Sequence, residues 1–589
     1  MSPSSSRRRR RRLLVWAWRA AGIAIGIAAL LTVSALSGAR RDVSTARIAL
    51  EAARASMSAH NVGGTAASLD RAEGAIDQAS GRAETFPLSL LEPIPLVGSP
   101  VKALAAGARA GQDAAAAGRN LTAAAGSFPT PGTAGVDGHD LSAVHAAAQT
   151  SADAVVAAGA RLTAARHALE GPAGAFLPPV SSAAKSLRRT VDHALRQLSS
   201  ADRGLDLVAR LTGPDTDARI LLLSEDSMEL RATGGYIGSF GVFRFHHGTV
   251  ALERYDSFDA LPAPEPPMQA PAPLELVMAR PWDLSNSNWW PDYPTSARTA
   301  VEMFRRQGGG EVDGVVAVTE TVMARLVGVF GPIEVPGYAQ PITEEGFAQR
   351  VLYEVELKRP VDSPRKKFLT LLAHQVFARL FALPPRQLPA VVQAFGAAAG
   401  AGDLQVWFSN PAWQQSVAGT TVEGALPAQP RGDFLLLAES NMTASKANAD
   451  LVRGIHYTVK KKAGRLLATL DMDYRNEGVE TEANPYYNGL IRMYVPKGSE
   501  LTEDSMGSTQ DAPDGPYTEI SADVYVAPRG EQHVSFTYTL PKGVDDGGYH
   551  LTWLRQPGTP ADTLTATIGS KTFNAASASG RRFEVSAPL

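Results

Sequence analysis

The sequence predicts a multidomain α+β protein with four parts: an N-terminal transmembrane helix, an alanine-rich helical stalk or bundle, an α/β core and a C-terminal β-sandwich. Three observations predict this order. An apolar run follows an arginine run, an alanine-rich region continues to about residue 211, and mixed strand and helix patterns then give way to strands alone. A chain of 589 residues exceeds what one hydrophobic core usually supports, so several domains are expected.

The first element is a membrane anchor. Residues 7–12 are six consecutive arginines, and residues 20–39 are twenty residues without a charge. At ~1.5 Å of helical rise per residue, such a run reaches ~30 Å, the thickness of a bilayer core. We therefore expect residues 1–12 to be a cytoplasmic tail and residues 13–39 a single-pass signal-anchor in the cell membrane. The bulk of the chain would then be extracytoplasmic, in the cell envelope.

Two alternatives compete with this anchor. The sequence ALSGA at its end is a weak signal-peptide cleavage site, but the long apolar run favours an uncleaved anchor. A basic tail for nucleic acid is not favoured, because the arginines directly precede the apolar run, so we expect no nucleic-acid partner. The chain has no cysteine, so no disulfide can stabilise an exported fold.

Residues 41–211 are rich in alanine and other good helix formers. Breaks containing proline or glycine separate helices that are predicted at residues 43–58, 101–127, 141–169 and 181–211. Helices of this length can pack as antiparallel hairpins into a stalk or bundle. Alanine buries little apolar area, and each Å² contributes only ~25 cal/mol. This leaves packing on a second copy, and hence a homo-oligomer through the stalk, open.

An α/β core is predicted for residues 215–453 and a β-sandwich for residues 454–589. ARILLLSE is a continuous apolar run that suits a strand buried on both faces. Further core strands are predicted at 242–245, 249–255 and 312–318, and helices at 295–307, 319–330 and 366–381. After residue 454, seven short strands separated by turns favour a sandwich that packs beside the core or contacts wall polymers.

Residues 221–243, LLLSEDSMELRATGGYIGSFGVF, are the most informative segment. A buried strand leads into a charged loop, two glycines follow, and a β-prone run resumes. The residues of interest are Glu225, Asp226, Glu229, Arg231, Gly234 and Gly235. Adjacent glycines let a backbone turn sharply or approach a ligand closely. The loop is therefore either a binding site or an ordinary hairpin turn.

This segment resembles the bacterial domain-of-unknown-function family 4012, whose members show an E-L-R-x-T-G-G-F-I-G-S-F-G string after an apolar strand. Here residues 227–241 read SMELRATGGYIGSFG. The resemblance continues through VDGVVAV at 312–318, FGPIEVPGYAQPITEEGF at 330–347 and LAESNMTASKANADLVR at 437–453. It spans roughly the C-terminal two thirds of the chain. The family name implies no activity.

The order of elements also resembles the LytR-CpsA-Psr family of envelope phosphotransferases, which move glycopolymers from polyprenyl pyrophosphate onto peptidoglycan. The counterparts are the loop of Arg231, glycines 308–310, DGVVAV from Asp313, FGPIEVP from Phe330 and DSPRKKFLTLLAHQ from Asp362. The chain departs from that pattern at three places. Ala232 stands where the family has an acidic metal ligand, and Pro332 stands where it has a second glycine. Lysines 366 and 367 stand where it has an arginine. The resemblance implies a shared fold and, as a hypothesis, transfer or binding of polyprenyl-phosphate-linked glycopolymers.

A pyrophosphate ligand needs several cations and usually a divalent ion such as Mg²⁺ held by carboxylates. The predicted catalytic residues are Arg231, Glu229 and Arg365, and the predicted metal ligands are Glu229, Asp283 and Asp292. The predicted ligand-binding residues are Gly234, Gly235, Arg280, Asp283, Trp289, Asn441 and Lys446. Trp289 lies in a loop whose tryptophans suit carbohydrate stacking as well as core packing. The sequence has no G-x-S-x-G, Walker or HExxH motif, so hydrolase, nucleotide and zinc-protease functions have no support.

A similarity between two segments of the sequence predicts where these residues meet. Residues 221–232 and 435–446 share three leucines, a glutamate and a methionine. We expect two strands that end at the same edge of one sheet, where ligands bind in open α/β sheets. The residues that would converge are Glu225, Arg231, Glu439, Asn441 and Lys446. The rival interpretation is a noncatalytic envelope scaffold or adhesion protein, in which the charged loop is structural.

Overall fold

The computed structural model describes residues 139–170, 178–276, 281–357, 367–383, 387–510, 515–559, 563–574 and 580–589, with scattered residues between 45 and 117. The predicted tail (1–12) and anchor (13–39) lie outside these residues, as do most of the helices predicted at 43–58 and 101–127. In the part of the chain that is described, no helix has the length and apolar character needed to cross a bilayer. The chain forms two compact units, residues 1–129 with 143–209, and residues 130–142 with 210–589.

The first unit contains nearly all of two long helices, α1 (Ser142–Ala168) and α2 (Pro178–Leu211). Both form where the alanine-rich composition predicts helix. Val155 and Leu162 of α1 and Val191 and Leu198 of α2 belong to one apolar cluster, in which the other buried positions are mostly alanine. Small side chains therefore form much of this core. The homo-oligomer through this region stays a prediction.

The second unit begins with a mixed six-stranded sheet of order β1-β4-β3-β2-β5-β6. Its strands are β1 (His139–Asp140), β2 (Asp217–Asp226), β3 (Tyr236–His246), β4 (Thr249–Ser257), β5 (Gly314–Thr319) and β6 (Leu404–Phe408). β2 pairs antiparallel with β3 and parallel with β5. The carboxyl ends of β2 and β5 therefore lie side by side.

Helices cover both faces of this sheet. They are α3 (Ala272–Glu275), α4 (Tyr293–Arg306), α5 (Glu320–Phe330), α6 (Phe347–Leu352), α7 (Lys367–Phe381), α8 (Leu388–Ala401) and α9 (Pro411–Val417), and a π-helical segment, Tyr353–Leu357, follows α6. Successive strand side chains point to opposite faces. Leu221 and Leu223 accordingly join the core of α4, whereas Leu222 joins that of α5, α7 and α8. This explains the uninterrupted apolar run of β2.

Two further six-stranded sheets form a β-sandwich from the described residues after 432. Their orders are β12-β13-β10-β7-β15-β18 and β11-β14-β9-β8-β16-β17. The strands are β7 (Asp433–Asn441), β8 (Leu451–Lys462), β9 (Arg465–Asn476), β10 (Tyr487–Pro496), β11 (Glu500–Asp504), β12 (Thr509–Gln510), β13 (Tyr517–Val526), β14 (Glu531–Thr539), β15 (Tyr549–Leu554), β16 (Thr563–Ile568), β17 (Lys571–Asn574) and β18 (Arg582–Ala587). Leu435 and Met493 of one sheet share a core with Ile455 and Phe536 of the other. The mixed α+β architecture is thus confirmed.

The strand β7 corrects one expectation. The similarity between residues 221–232 and 435–446 predicted two strands that end at the same edge of one sheet. This prediction is wrong. β7 pairs with β10 and β15 in the sandwich, whereas β2 lies in the first sheet. All nine residues of β7 are buried, so it too is an apolar run. An apolar run indicates burial on both faces but does not specify its neighbours in a sheet.

Candidate functional site

A cavity of about 780 Å³ lies where the carboxyl ends of β2 and β5 approach the end of β7. The first sheet and the sandwich both contribute to its wall. One side carries charged groups and the other is apolar. The charged lining residues are Glu225, Asp226, Glu229, Arg231, Asp259, Glu320, Lys446 and Glu482.

Ion pairs connect the charged loop after β2 with the loop after β7. Arg231 Nη2 lies 3.0 Å from Glu229 Oε1, and Lys446 Nζ lies 3.0 Å from Glu229 Oε2 and 2.9 Å from Asp226 Oδ2. Burial lowers the pKa of Lys446, but the two carboxylates raise it by more, so its pKa is above the ordinary value. Tyr236 contacts both cations through its ring, at 5.4 Å from Arg231 and 5.8 Å from Lys446. The lysine is therefore charged and paired.

Arg231 is only 6% exposed, and its side chain joins the core to the sandwich. Its Nε donates to Asn286 Oδ1 at 2.9 Å, and its Nη1 donates to the carbonyl oxygens of Leu230 at 3.0 Å and Asn441 at 2.8 Å. Together with the Glu229 pair, these bonds use most of its donors. The geometry makes Arg231 a positioning residue for the site, and its role as a phosphate contact stays a prediction.

Two carboxyl groups at the cavity, the buried Glu225 and the half-buried Glu320, titrate near neutral pH. Burial raises the pKa of Glu225 to about 7. Its Oε1 accepts from Thr233 Oγ1 at 2.7 Å and Asn288 Nδ2 at 3.0 Å, while its buried Oε2 accepts from none of the described residues. Burial, with the nearby charge of Asp226, likewise raises the pKa of Glu320 to about 7.

Glu320 was missed by the sequence reasoning. It accepts hydrogen bonds from the amide and the hydroxyl of Ser227, with the amide nitrogen at 3.0 Å. A signal for it existed, because Glu320 lies two residues after the strand predicted at 312–318, and the carboxyl ends of parallel strands form the usual ligand site of open α/β sheets.

The two glycines of the loop are packed against the protein's own chain. Gly234 has φ +149°, and a Cβ placed there would lie 2.8 Å from Thr319 Cγ2 and closer still to Glu225 Oε2. A Cβ on Gly235 would lie 2.6 Å from the amide nitrogen of Ser227. The close approach that the double glycine predicts is therefore made here by neighbouring protein atoms. Ligand binding by the two glycines stays a prediction.

The opposite side of the cavity is apolar, and helices α5, α6 and α7 supply most of it. These helices and the segment after α6 contribute Met323, Phe347, Val351, Leu352, Val355, Leu369, Leu372 and Ala373, whereas the lining residues Leu274 and Met442 pack in the apolar cluster of Trp289. Ligand sites of about 300–1,000 Å³ are typically apolar with a few convergent polar groups. This cavity has that character, with a charged end and an apolar wall.

Several predicted site residues have structural contacts elsewhere. Asp283 Oδ1 accepts from the amide of Ser285 at 3.0 Å, and Asp292 caps α4 by accepting from the amide of Thr295 at 3.2 Å. Trp289 is buried, with the guanidinium of Arg492 at 4.1 Å from its ring centre. Arg280 and Arg365 lie outside the described residues.

A divalent cation does not fit the predicted ligand set. Glu229 lies at the cavity with both oxygens paired to cations, whereas Asp283 and Asp292 cap helical turns. Among the residues that the structure describes, no group of three or more His, Asp or Glu side chains is placed to hold a metal ion. The charged groups that line the cavity form ion pairs and hydrogen bonds with one another and with the loop after β2.

The predicted convergence is partly met, although the two strands lie in different sheets. Glu225, Arg231, Asn441 and Lys446 all line the cavity. Glu439 does not; it lies inside the sandwich, where Arg453 Nη1 is 2.6 Å and the Tyr487 hydroxyl 2.9 Å from its carboxylate. The residues meet because the loop after β7 packs on the loop after β2, with the amide of Asn441 donating to the carbonyl of Leu230 at 2.9 Å.

The fold and the cavity define an α+β protein with an amphiphilic cavity between a mixed sheet and a sandwich. Residues 215–355 match the family model described as "Protein of unknown function (DUF4012)". This match supports the resemblance to domain-of-unknown-function family 4012 and covers the loop after β2. No curated protein and no solved structure matches the chain. The resemblance to the LytR-CpsA-Psr family is not shown by these comparisons.

Proposed function

We propose that the second unit binds an amphiphile with a long apolar chain and a polar head, as part of a membrane-anchored protein of the cell envelope. The candidate ligand is a polyprenyl-phosphate-linked glycopolymer. The observation that carries this proposal is a single cavity with a charged end and an apolar wall. The envelope location depends on the anchor predicted at residues 13–39.

The apolar wall suits a hydrocarbon chain. Burial of a CH₂ group contributes about 0.8 kcal/mol, so a chain of roughly ten carbons gains several kcal/mol against the cost of association. A polar ligand of the same size would leave the side chains of Val351, Leu369 and Leu372 in contact with water or with unpaired polar atoms. A long apolar chain is therefore the favoured occupant of this half.

Carboxylates outnumber cations at the charged end by six to two, so an anionic head is expected to bind there only at a pH below neutral. Lys446 is the cation that a phosphate would meet, by replacing Glu229 or Asp226 as its partner. Glu225 and Glu320, with pKa values of about 7, lose negative charge as the pH falls through 7. Less negative charge repels a phosphate less. Affinity for a phosphate head should therefore rise as the pH falls.

Binding without catalysis agrees best with the contacts. Arg231 and Glu229, two of the three residues predicted to be catalytic, are engaged in ion pairs and backbone bonds. The rival function, a scaffold or adhesion protein, requires no ligand in the cavity. The two functions differ in what purifies with the protein.

The test is native mass spectrometry of the full chain purified from its own membrane. Val351→Trp fills the apolar half of the cavity, and Val392→Trp is the matched control on α8, where Val392 is 62% exposed and does not line the cavity. We expect an amphiphile on wild type and the control, and at least a tenfold loss in Val351→Trp. Wild-type protein that neither retains an amphiphile nor binds added polyprenyl phosphate would favour the scaffold.

The head group is tested with polyprenyl phosphate and polyprenol, which differ only in the phosphate. The preference for the phosphate should increase between pH 8 and pH 6, and Lys446→Gln should reduce it. A preference that is unchanged by pH and by Lys446→Gln would show that the charged end does not contact the head.

A further inference from the structure

Five exposed cations cluster at one end of the sandwich, and we call this cluster the basic surface. It consists of Lys460, Lys461, Lys462, Arg465 and Lys571. The first four lie on the β8–β9 hairpin, in which the backbones of Lys462 and Arg465 are cross-strand partners. Lys571 of β17 lies at the same end. Its cross-strand partner is Ile568 of β16, and the partner of Ile568 on the other side is Val459 of β8.

Most of the basic surface lacks acidic partners. Lys461 lies 3.3 Å from Asp545, and in the described ranges no carboxylate is within ion-pair distance of the other four cations. Three exposed arginines elsewhere in this unit do have carboxylate partners: Arg244 pairs with Asp217, Arg254 with Asp256 and Arg475 with Glu477. The basic surface is therefore available to an external anion.

Protection of a sheet edge does not explain these residues. Lysines on edge strands prevent strand-to-strand aggregation, and Lys571 on the edge strand β17 can have that role. β8 and β9, however, are the two central strands of the order β11-β14-β9-β8-β16-β17. The cations at their hairpin have no exposed edge to protect.

The basic surface lies at the end of the sandwich opposite the cavity. β8 starts at Leu451, five residues after the cavity-lining Lys446, and runs twelve residues to Lys462. At ~3.3 Å per residue the strand spans roughly 40 Å. Under the proposed function, the cavity end of the sandwich is the end that meets the lipid, and the basic surface is at the other end.

We propose that the basic surface binds a polyanionic polymer with repeating phosphate groups rather than an anionic membrane. The choice of polymer over membrane rests on the proposed function of the cavity. A single exposed ion pair is weak, but a repeating polymer contacts several of these cations at once and releases counterions, which makes its binding steeply dependent on salt.

The test is calorimetric titration of the full chain with synthetic poly(glycerol phosphate) at several salt concentrations. The variant Lys460→Gln/Lys462→Gln/Arg465→Gln removes three cations of the basic surface. The matched control Arg244→Gln/Arg254→Gln/Arg475→Gln removes the same charge from paired, exposed positions. We expect at least tenfold weaker binding and a shallower salt dependence in the first variant, and near wild-type binding in the control.

The proposal would be overturned if the wild type did not bind the polymer, or if both triple variants lost polymer binding equally. It would also be overturned if the protein bound phosphatidylglycerol vesicles instead of the polymer and this vesicle binding depended on these cations. Val351→Trp serves as a separate control, because it changes the cavity and leaves the hairpin intact. Polymer binding should be unchanged in it whether or not the cavity binds lipid, so the two proposals can fail independently.

Discussion

Gly235→Ala is expected to destabilise the second unit because the new methyl group meets backbone atoms. A Cβ at this position would lie 2.6 Å from the amide nitrogen of Ser227 and closer still to the carbonyl group of Asp226. Backbone atoms cannot rotate away as a side chain can, so the loop that carries Asp226 and Glu229 must shift. Gly238 in β3 is the matched control, since a Cβ there has no atom within 4 Å.

The magnitude follows from the packing. Inserting a methyl group into a well-packed site costs about 1–3 kcal/mol, and the required backbone shift places Gly235→Ala at the upper end of that range or above it. For the second unit, which has roughly 390 residues, 3 kcal/mol corresponds to a fall in Tm of about 4 °C. Gly238 lines the cavity, so Gly238→Ala is a control for stability only; its methyl group meets no protein atom and should change the free energy of unfolding by less than about 1 kcal/mol.

The assay is differential scanning calorimetry of the full chain, with amphiphile binding measured on the same samples. Equal Tm values for Gly235→Ala and Gly238→Ala would refute the argument from close packing. A Gly235→Ala protein with wild-type Tm but without bound amphiphile would instead show that the glycine serves the ligand. The experiment thus separates the two interpretations of the double glycine.

Three further predictions concern buried charge. The pKa of Glu225 is raised from 4.5 to about 7. The contribution of Glu225 to stability is therefore full below pH 4.5 and is lost as the pH rises through 7. Glu225→Gln should accordingly flatten the pH dependence of the urea midpoint between pH 5 and pH 8. The pKa of Asp433 is raised by burial from 3.8 to about 6, so Asp433→Asn should remove a loss of stability between pH 4 and pH 6; an unchanged pH profile would contradict this. Arg453→Met leaves Glu439 buried without its cation and should cost about 3–5 kcal/mol in urea unfolding, and Arg453→Met/Glu439→Gln should recover part of that loss; no recovery would argue against the pair.

Some features of the site could be predicted because they are local. The apolar residues of β2 indicated a strand buried on both faces, and Leu221 and Leu222 do pack on opposite faces. The charged residues that follow β2 and β7 were predicted to meet, and Arg231 and Lys446 share Glu229. Each of these predictions depends on a strand period or on a loop that directly follows a strand.

Other features could not be predicted because they depend on which elements become neighbours. Asp283 and Asp292 are carboxylates near a tryptophan-rich loop, and composition alone does not distinguish a metal ligand from a helix cap. The apolar wall comes from α5, α6 and α7, which are distant in sequence from the charged loop. Nothing in Val351 or Leu372 indicates that they face a cavity rather than a filled core.

Local periodicity and composition were sufficient to predict the α+β class, the long helices of the first unit and the charged loop after β2, because they encode burial and turns. Three features depend on long-range packing instead: the place of β7 in the sandwich, the approach of Glu320 to Glu225, and the presence of apolar side chains in the same cavity as Lys446. The physical reason is that hydrophobic burial is non-directional: an apolar segment specifies that it must be covered, and the packing of the whole chain selects what covers it.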